Sequence, residues 1–211
     1  MSICILAAMS EELSAIGKSL TTHRTGVGKV NATLTTCSVL ARDSARESTI
    51  LIVGTAAACD PSLQIGDVVI ASGAGHHDVD VTALNFAPGQ IPFEDKWFWQ
   101  SDDTLAHRAL EICQELGLPH THGPILTGDQ FIADPTRVVW IHETFGAACI
   151  EMETAAVAQT CAKFIHEQHT VRWLGIRVIS DLADKSAHVD FPTFLPQAAQ
   201  TIASIVERLV E

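Results

Sequence analysis

Thr49-Ile50-Leu51-Ile52-Val53 runs without a charged interruption into Gly54-Thr55-Ala56-Ala57-Ala58. Five consecutive β-branched or apolar residues, closed by a run of small ones, read as a strand buried inside a sheet. The same unit recurs on both sides of it. Ile3–Ala8 is a short apolar run that predicts a first buried strand. Glu11–Leu20, with Leu13, Ile16 and Leu20 at helical spacing, predicts a helix after it, and Ser10 followed by Glu11 and Glu12 suits the positive end of a helix. A glycine turn, Gly26-Val27-Gly28, leads into a helix over Val30–Ala45. Asp67–Ala71, entered through Ile65-Gly66, predicts a third strand, and Pro124–Thr127, Ala148–Ile150 and Leu174–Ile179 predict three more.

Helical period returns over Thr104–Leu116, Val138–Phe145 and Thr154–Phe164. Phe194, Ala198, Ile202, Ile205 and Leu209 mark one face of a C-terminal helix. Between these elements, Ala83–Trp99 has no period and carries Phe86, Pro88, Gly89, Pro92, Phe93, Trp97, Phe98 and Trp99. A loop this long is commonly a lid or a contact with a partner chain. Strands alternating with helices predict the α/β class: a three-layer α/β/α arrangement around a mixed, largely parallel sheet, in one domain over 1–211. No internal repeat, low-complexity tract or linker interrupts it.

Composition narrows the partners. The 211 residues are 47% hydrophobic and 18% charged, which predicts a folded globular chain. A formal net charge of −12, from 25 acidic against 13 basic residues, repels phosphate backbones and anionic lipid. Nucleic acid and membrane surfaces are therefore not expected partners, whereas a small nucleoside without phosphate is not excluded. The longest apolar runs fall short of the ~20 residues a membrane helix requires. The start, Met1–Met9, has no basic stretch before its apolar residues, so a secretory signal is not expected. The six cysteines show no short metal or redox spacing and mostly sit in apolar segments, which predicts reduced core residues in a cytoplasmic protein. No metal and no cofactor are expected.

In such sheets, ligands collect at the loops beyond the strand ends. Three acidic sites fall there: Glu11 and Glu12, Glu151 and Glu153, and Asp181. Burial raises a carboxyl pKa and neighbouring carboxylates spread their values, so such a cluster can hold a proton-donating acid beside an ionised base. Each site also has a structural reading. Glu11 and Glu12 fit the first turn of a helix. Glu151 and Glu153 would point to one side of a strand and fit ion pairs. Asp181 fits an N-cap. His76-His77-Asp78-Val79-Asp80 reads as structural rather than metal-binding, and Gly26-Val27-Gly28-Lys29 lacks the full spacing of a phosphate loop.

The order of segments carries more than any one of them. Ile5-Leu6-Ala7-Ala8-Met9-Ser10-Glu11-Glu12, Gly26-Val27-Gly28-Lys29-Val30-Asn31-Ala32, Gly66-Asp67-Val68-Val69, His77-Asp78-Val79-Asp80-Val81-Thr82-Ala83, Gly128-Asp129-Gln130-Phe131-Ile132, Glu151-Met152-Glu153 and Arg177-Val178-Ile179-Ser180-Asp181 span nearly the whole chain. In this order the sequence resembles the 5′-methylthioadenosine/S-adenosylhomocysteine nucleosidases of the nucleoside phosphorylase/hydrolase family. The resemblance implies hydrolysis of the bond between adenine and a 5′-modified ribose. It makes Asp181 the general acid toward the imidazole ring of the departing adenine, Glu12 the base that activates water, and Glu153 the holder of the ribose hydroxyls. Met152 is then expected against the sugar, Phe131 and Ile132 around the base, Ser180 on Asp181, and Arg177 near the water. Thr55, Ala56 and Glu151 complete the expected substrate contacts, with Met9, Phe191 and the Ala83–Pro92 loop near the alkylthio end. Such proteins are commonly homodimers whose loops complete the neighbour's pocket.

Two features depart from that pattern. The segment from Leu20 to Gly26 leaves almost no room for the strands usual there, which predicts a sheet edge missing or rebuilt near the N-terminus. Ala57 and Ala58 stand where glycine is favoured and disfavour positive φ, so water placement or ribose fit is expected to differ. Three alternatives remain at this level. A phosphorylase would use Arg24, Lys29 and Arg177 around phosphate. A futalosine-type hydrolase would differ only in its 5′ group, for which Met9, Phe86, Ile91 and Phe191 are available. A non-catalytic nucleoside-binding protein would need no complete acid–base set.

Overall fold

A computed structural model of the chain describes residues 2–43, 47–165, 170–184 and 186–211. The elements, in order, are β1 (Ser2–Ala7), β2 (Thr22–Arg24), α1 (Lys29–Arg42), β3 (Glu47–Ala58), β4 (Val68–His76), β5 (Phe98–Gln100), α2 (Asp103–Glu115), β6 (His120–Thr127), α3 (Pro135–Phe145), β7 (Cys149–Glu151), α4 (Thr154–Phe164), β8 (Thr170–Asp181) and α5 (Ala187–Leu209). The fold is mixed α/β, and helices cover both faces of the sheet.

The apolar runs explain the layers, because alternate side chains of one strand enter different cores. Ile50 and Ile52 of β3 join Cys4 and Leu6 of β1 in a core capped by α1 and α4. Leu51 and Val53 join Ile5 and Ala7 in a second core capped by α2 and α5. Both sets are fully buried or nearly so, which is why these strands carry no solvent face. Among the described residues, no helix is long and apolar enough to cross a membrane. Five of the six free cysteines are buried, and Cys37 is half-buried.

Among the described residues, eight strands form one sheet in the order β2-β1-β3-β7-β6-β4-β5, with β8 pairing both β3 and β4. Parallel pairing joins β1 to β2 and β3, β3 to β8, β4 to β6, and β6 to β7. Antiparallel pairing joins β3 to β7, β4 to β5, and β4 to β8. The chain of partners β3–β8–β4–β6–β7–β3 therefore closes on itself. Closure curls the sheet and brings together the carboxyl ends of strands that are remote in sequence.

Several expectations are corrected. Glu11–Leu20 is a series of turns rather than a helix. Its backbone bonds run Leu13 N–H to Ser10, Ser14 N–H to Glu11, Ile16 N–H to Leu13 and Leu20 N–H to Gly17, all three residues back. The buried Glu12 side chain faces inward, where a surface helix would have left it outside. The small-residue run Gly54–Ala58 continues β3 to its end, and neither Ala57 nor Ala58 has a positive φ. The anticipated backbone restriction at these alanines therefore does not arise. The sheet edge near the N-terminus, by contrast, is rebuilt as expected, as the three-residue β2, which pairs Ile5–Ala7 with Thr22–Arg24. The long aromatic loop ends earlier than expected, because Phe98 and Trp99 pair with β4. Residues 44 and 45, the last of the expected Val30–Ala45 helix, lie outside the described residues.

Candidate active site

The strand ends meet around a cavity of about 380 Å³. Its lining includes Met9 and Glu12 after β1, Thr55 and Ala56 on β3, and Phe131 and Ile132 after β6. Glu151, Met152 and Glu153 enter it between β7 and α4, Ser180 and Asp181 at the end of β8, and Phe191 from α5. The site residues expected from sequence line this space except the Ala83–Pro92 loop and Arg177, which lies behind it, 1% exposed. Ala57, expected to bear on water placement or ribose fit, also lines it, as do Ala8, Val27, Gln130 and Ile150, to which the sequence reading assigned no contact role.

Glu12 is held by three donors. Met9 N–H donates to Oε2 at 3.0 Å, and Thr55 donates to Oε1 through its N–H at 2.9 Å and its hydroxyl at 3.1 Å. The turn after β1 thus directs Glu12 onto β3, while Glu11 stays exposed. Gly54 makes this possible. A Cβ there would lie 2.3 Å from Arg177 Nη1 and 2.6 Å from Glu12 Oε1, so only glycine leaves space for both groups.

Asp181 owes its aim to a bulge. Ala56 pairs with Ile179 but Ala57 pairs with Asp181, leaving Ser180 as the extra residue of β8. The Ser180 hydroxyl donates to Asp181 Oδ2 at 2.9 Å, and Ala183 N–H donates to Oδ1 at 2.9 Å. Asp181 does not cap a helix, since α5 begins only at Ala187. Burial, foremost, raises its pKa, with Asp190 and Asp184 adding to the rise and the two hydrogen bonds opposing it. A carboxyl of this kind retains a proton to higher pH than an exposed aspartate.

Glu151 and Glu153 are not neighbours on one strand face. Glu151 ends β7, and Glu153 sits at the N-terminal boundary of α4. Both Glu151 oxygens are engaged by protein donors: the Thr127 hydroxyl, the N–H groups of Glu153 and Thr154, the Thr154 hydroxyl and Arg177 Nη2. Glu151 therefore fixes the start of α4 and anchors Arg177. Glu153 is freer, accepting Gly28 N–H at 2.8 Å and lying 3.9 Å from Arg177. Gly28 has a φ of 95°, which suits glycine and turns its N–H toward Glu153. Burial, then the adjacent Glu151 charge, push the Glu153 pKa up to about 7 against the pull of Arg177 and the Gly28 amide. Burial works against the charge on Arg177, but Glu151, Glu153 and Glu12 more than offset it.

The arrangement offers an acid disposed to carry a proton, a second carboxylate held by three donors, and a third beside a buried guanidinium. Phe131, 56% exposed, and Phe191 meet edge to face with ring centroids 6.3 Å apart, giving an aromatic wall. The Ala83–Pro92 loop does not reach this cavity. Phe86 packs edge to face on Phe93, and Ile91 packs on the core beside α1 and α4. Those residues do not line the alkylthio end within this chain. Among the cations considered for phosphate, Arg24 is exposed on β2, Lys29 is ion-paired with Asp78 at 2.7 Å, and Arg177 is bound by Glu151.

An acid-lined cavity at converging strand ends of a mixed α/β sheet defines a class. Residues 12–211 match the family model of the phosphorylase superfamily. The chain is 38% identical over 190 residues to the 5′-methylthioadenosine/S-adenosylhomocysteine nucleosidase of Bacillus anthracis, covering 89% of this chain and 79% of that protein. It superposes on the native futalosine hydrolase of Helicobacter pylori with a TM-score of 0.89 at 29% identity, over 100% of this chain and 97% of that one. It superposes equally on the Neisseria meningitidis 5′-methylthioadenosine/S-adenosylhomocysteine nucleosidase complexed with methylthio-immucillin-A, with a TM-score of 0.88 at 29% identity over 99% and 98%. The chain belongs to the phosphorylase superfamily, and within it to the nucleoside N-glycosidases.

Proposed function

We propose that the chain hydrolyses the N-glycosidic bond of 5′-modified adenine nucleosides, methylthioadenosine and S-adenosylhomocysteine among them. The products are adenine and the modified ribose. The observation that carries this reading is that Glu12, Glu153 and Asp181, far apart in sequence, line one cavity whose other walls are largely apolar. Asp181 delivers its proton to the imidazole ring of the departing adenine as the bond breaks, because a neutral base leaves more readily than an anion. The ribose becomes cation-like, and the surrounding carboxylates stabilise that charge. Glu12 takes a proton from the water that attacks the anomeric carbon from the opposite face. Glu153 holds the ribose hydroxyls, Met152 packs on the sugar, Phe131 and Ile132 orient the base, and Met9 and Phe191 meet a small apolar 5′ group.

Hydrolysis is favoured over phosphorolysis by charge. A phosphate dianion would enter among Glu12, Glu151, Glu153 and Asp181, with the nearest guanidinium already engaged by Glu151. A futalosine-type 5′ group is the second reading, supported by the likeness to a solved futalosine hydrolase. A panel of methylthioadenosine, S-adenosylhomocysteine, futalosine and inosine, each with and without phosphate, separates these readings. Free modified ribose and adenine in either buffer are expected. Ribose-1-phosphate, or a preference for inosine, would overturn the proposal.

The same reading makes the protein a homodimer, with the 83–92 loop of one chain completing the other's cavity. The exposure of Leu84 and Phe93 on or beside that loop supports it, as Phe93 is 99% exposed. Light scattering should return twice the chain mass; a monomer at working concentration would remove this part of the reading.

A further inference from the structure

Lys29, Asp78 and Asp129 stand at the rim of the cavity without lining it. Lys29 Nζ reaches both oxygens of Asp78, at 2.7 and 2.8 Å. The same carboxylate accepts Asp129 N–H at 2.9 Å. Asp129 Oδ1 in turn accepts the backbone N–H of Lys29 at 2.8 Å, and its other oxygen lies 4.0 Å from Lys29 Nζ. Three segments remote in sequence, the loop after β4, the start of α1 and the loop after β6, are thus tied into one closed circuit.

What hangs from that circuit bears on the site. The residue before Lys29 is Gly28, whose N–H is the hydrogen bond to Glu153. The residues after Asp129 are Gln130, Phe131 and Ile132, which form one wall of the cavity. Lys29 also separates two carboxylates that would otherwise repel each other across the junction. Its side chain is 22% exposed and that of Asp78 is 13%, so water screens the contact only in part.

We propose that Lys29 is a positioning residue for nucleoside binding, whose ammonium holds the Gly128–Ile132 segment against the Gly28 turn and so fixes Phe131 and Ile132 opposite Glu153. The proposal deepens the nucleosidase reading and rests on it. Lys29→Met leaves Asp78 and Asp129 facing each other unneutralised and displaces the base-binding wall, whereas the acid on β8 is untouched.

The expected result is a rise in KM and in the adenine dissociation constant of about tenfold, the loss of one charge-assisted contact. The change in kcat is expected to be much smaller. Lys29→Arg retains the charge and should recover most of the loss, and Lys29→Met with Asp78→Asn should recover part by removing the repulsion. The decisive measurement is a double-mutant cycle on adenine binding by calorimetry: in a Phe131→Ala background, Lys29→Met should have little further effect. Additive effects in that cycle, or a Lys29→Met protein with lowered thermal stability and unchanged KM, would overturn the proposal. If Lys29→Met fails to fold, Asp78→Asn carries the same cycle with the same outcomes. Should wild-type protein release no base from any nucleoside of the panel, the nucleosidase reading itself fails. Should it release base while the cycle is additive, only the role of Lys29 falls.

Discussion

Asp181→Asn is expected to lower kcat by about 10²–10⁴-fold while leaving KM close to the wild-type value. Asparagine keeps the shape and both local hydrogen bonds. Its carbonyl can accept Ala183 N–H, and its amide can donate to the Ser180 hydroxyl, which turns from donor to acceptor. The substitution therefore removes the transferable proton without removing the scaffold. The pH profile should change with it. Burial raises the Asp181 pKa, so the protonated, competent form persists to higher pH than for an exposed aspartate and is lost as pH rises through that raised value. A wild-type decline on the alkaline side that vanishes in Asp181→Asn is the expected signature. Steady-state kinetics across pH, beside thermal unfolding to confirm the fold, test it. A variant with full kcat would remove Asp181 from the chemistry.

The second large effect is on stability. Arg177→Met should destabilise the protein by about 3–5 kcal/mol, the usual consequence of removing one partner of a buried ion pair. The guanidinium is 1% exposed and donates to Glu151 and to the Thr154 hydroxyl at 2.8 Å, with Glu153 at 3.9 Å. Without it, Glu151 and Glu153 are left as neighbouring buried carboxylates, and one must take up a proton or admit water. For a chain of this size the midpoint of thermal unfolding should fall by roughly 6–20 °C. Glu151→Gln in the same background should restore part of the loss, because it removes one of the stranded charges. An Arg177→Met midpoint within about 2 °C of wild type would show that the pair contributes little net stability.

These expectations rest on interactions of unequal visibility in the sequence. The layers were legible because Thr49–Val53 is an unbroken β-branched or apolar run and Leu174–Ile179 is apolar apart from Gly175 and Arg177, and α4 was legible at both ends, Thr154 and Phe164. The Glu11–Leu20 segment misled, since Leu13, Ile16 and Leu20 keep helical spacing while the backbone makes only isolated turns. Spacing reports which side chains face the core, and a string of turns can bury Ile16 and pack Leu13 and Leu20 against that core just as well. Gly54 carried a usable signal, a glycine inside an apolar strand, which marks a close approach. Nothing comparable announced Ala8, Val27 or Ile150, which line the cavity by their place in the curled sheet rather than by residue type.

By itself the sequence determined the alternating elements, the two-sided burial of the central strands and the set of acids at strand ends, because each is written in residue type over a few consecutive positions. Tertiary structure alone decided which oxygen meets which donor. The closed circuit of strands carries Glu12, Glu153 and Asp181 to one cavity, the Ser180 bulge turns Asp181 into it, and the pairing with Arg177 assigns Glu151 to support. It also keeps the Ala83–Pro92 loop away from the chain's own cavity. Such outcomes depend on contacts between segments separated by 26 residues for Arg177 and Glu151, 43 for Glu12 and Thr55, and 125 for Gly28 and Glu153, which local pattern does not encode.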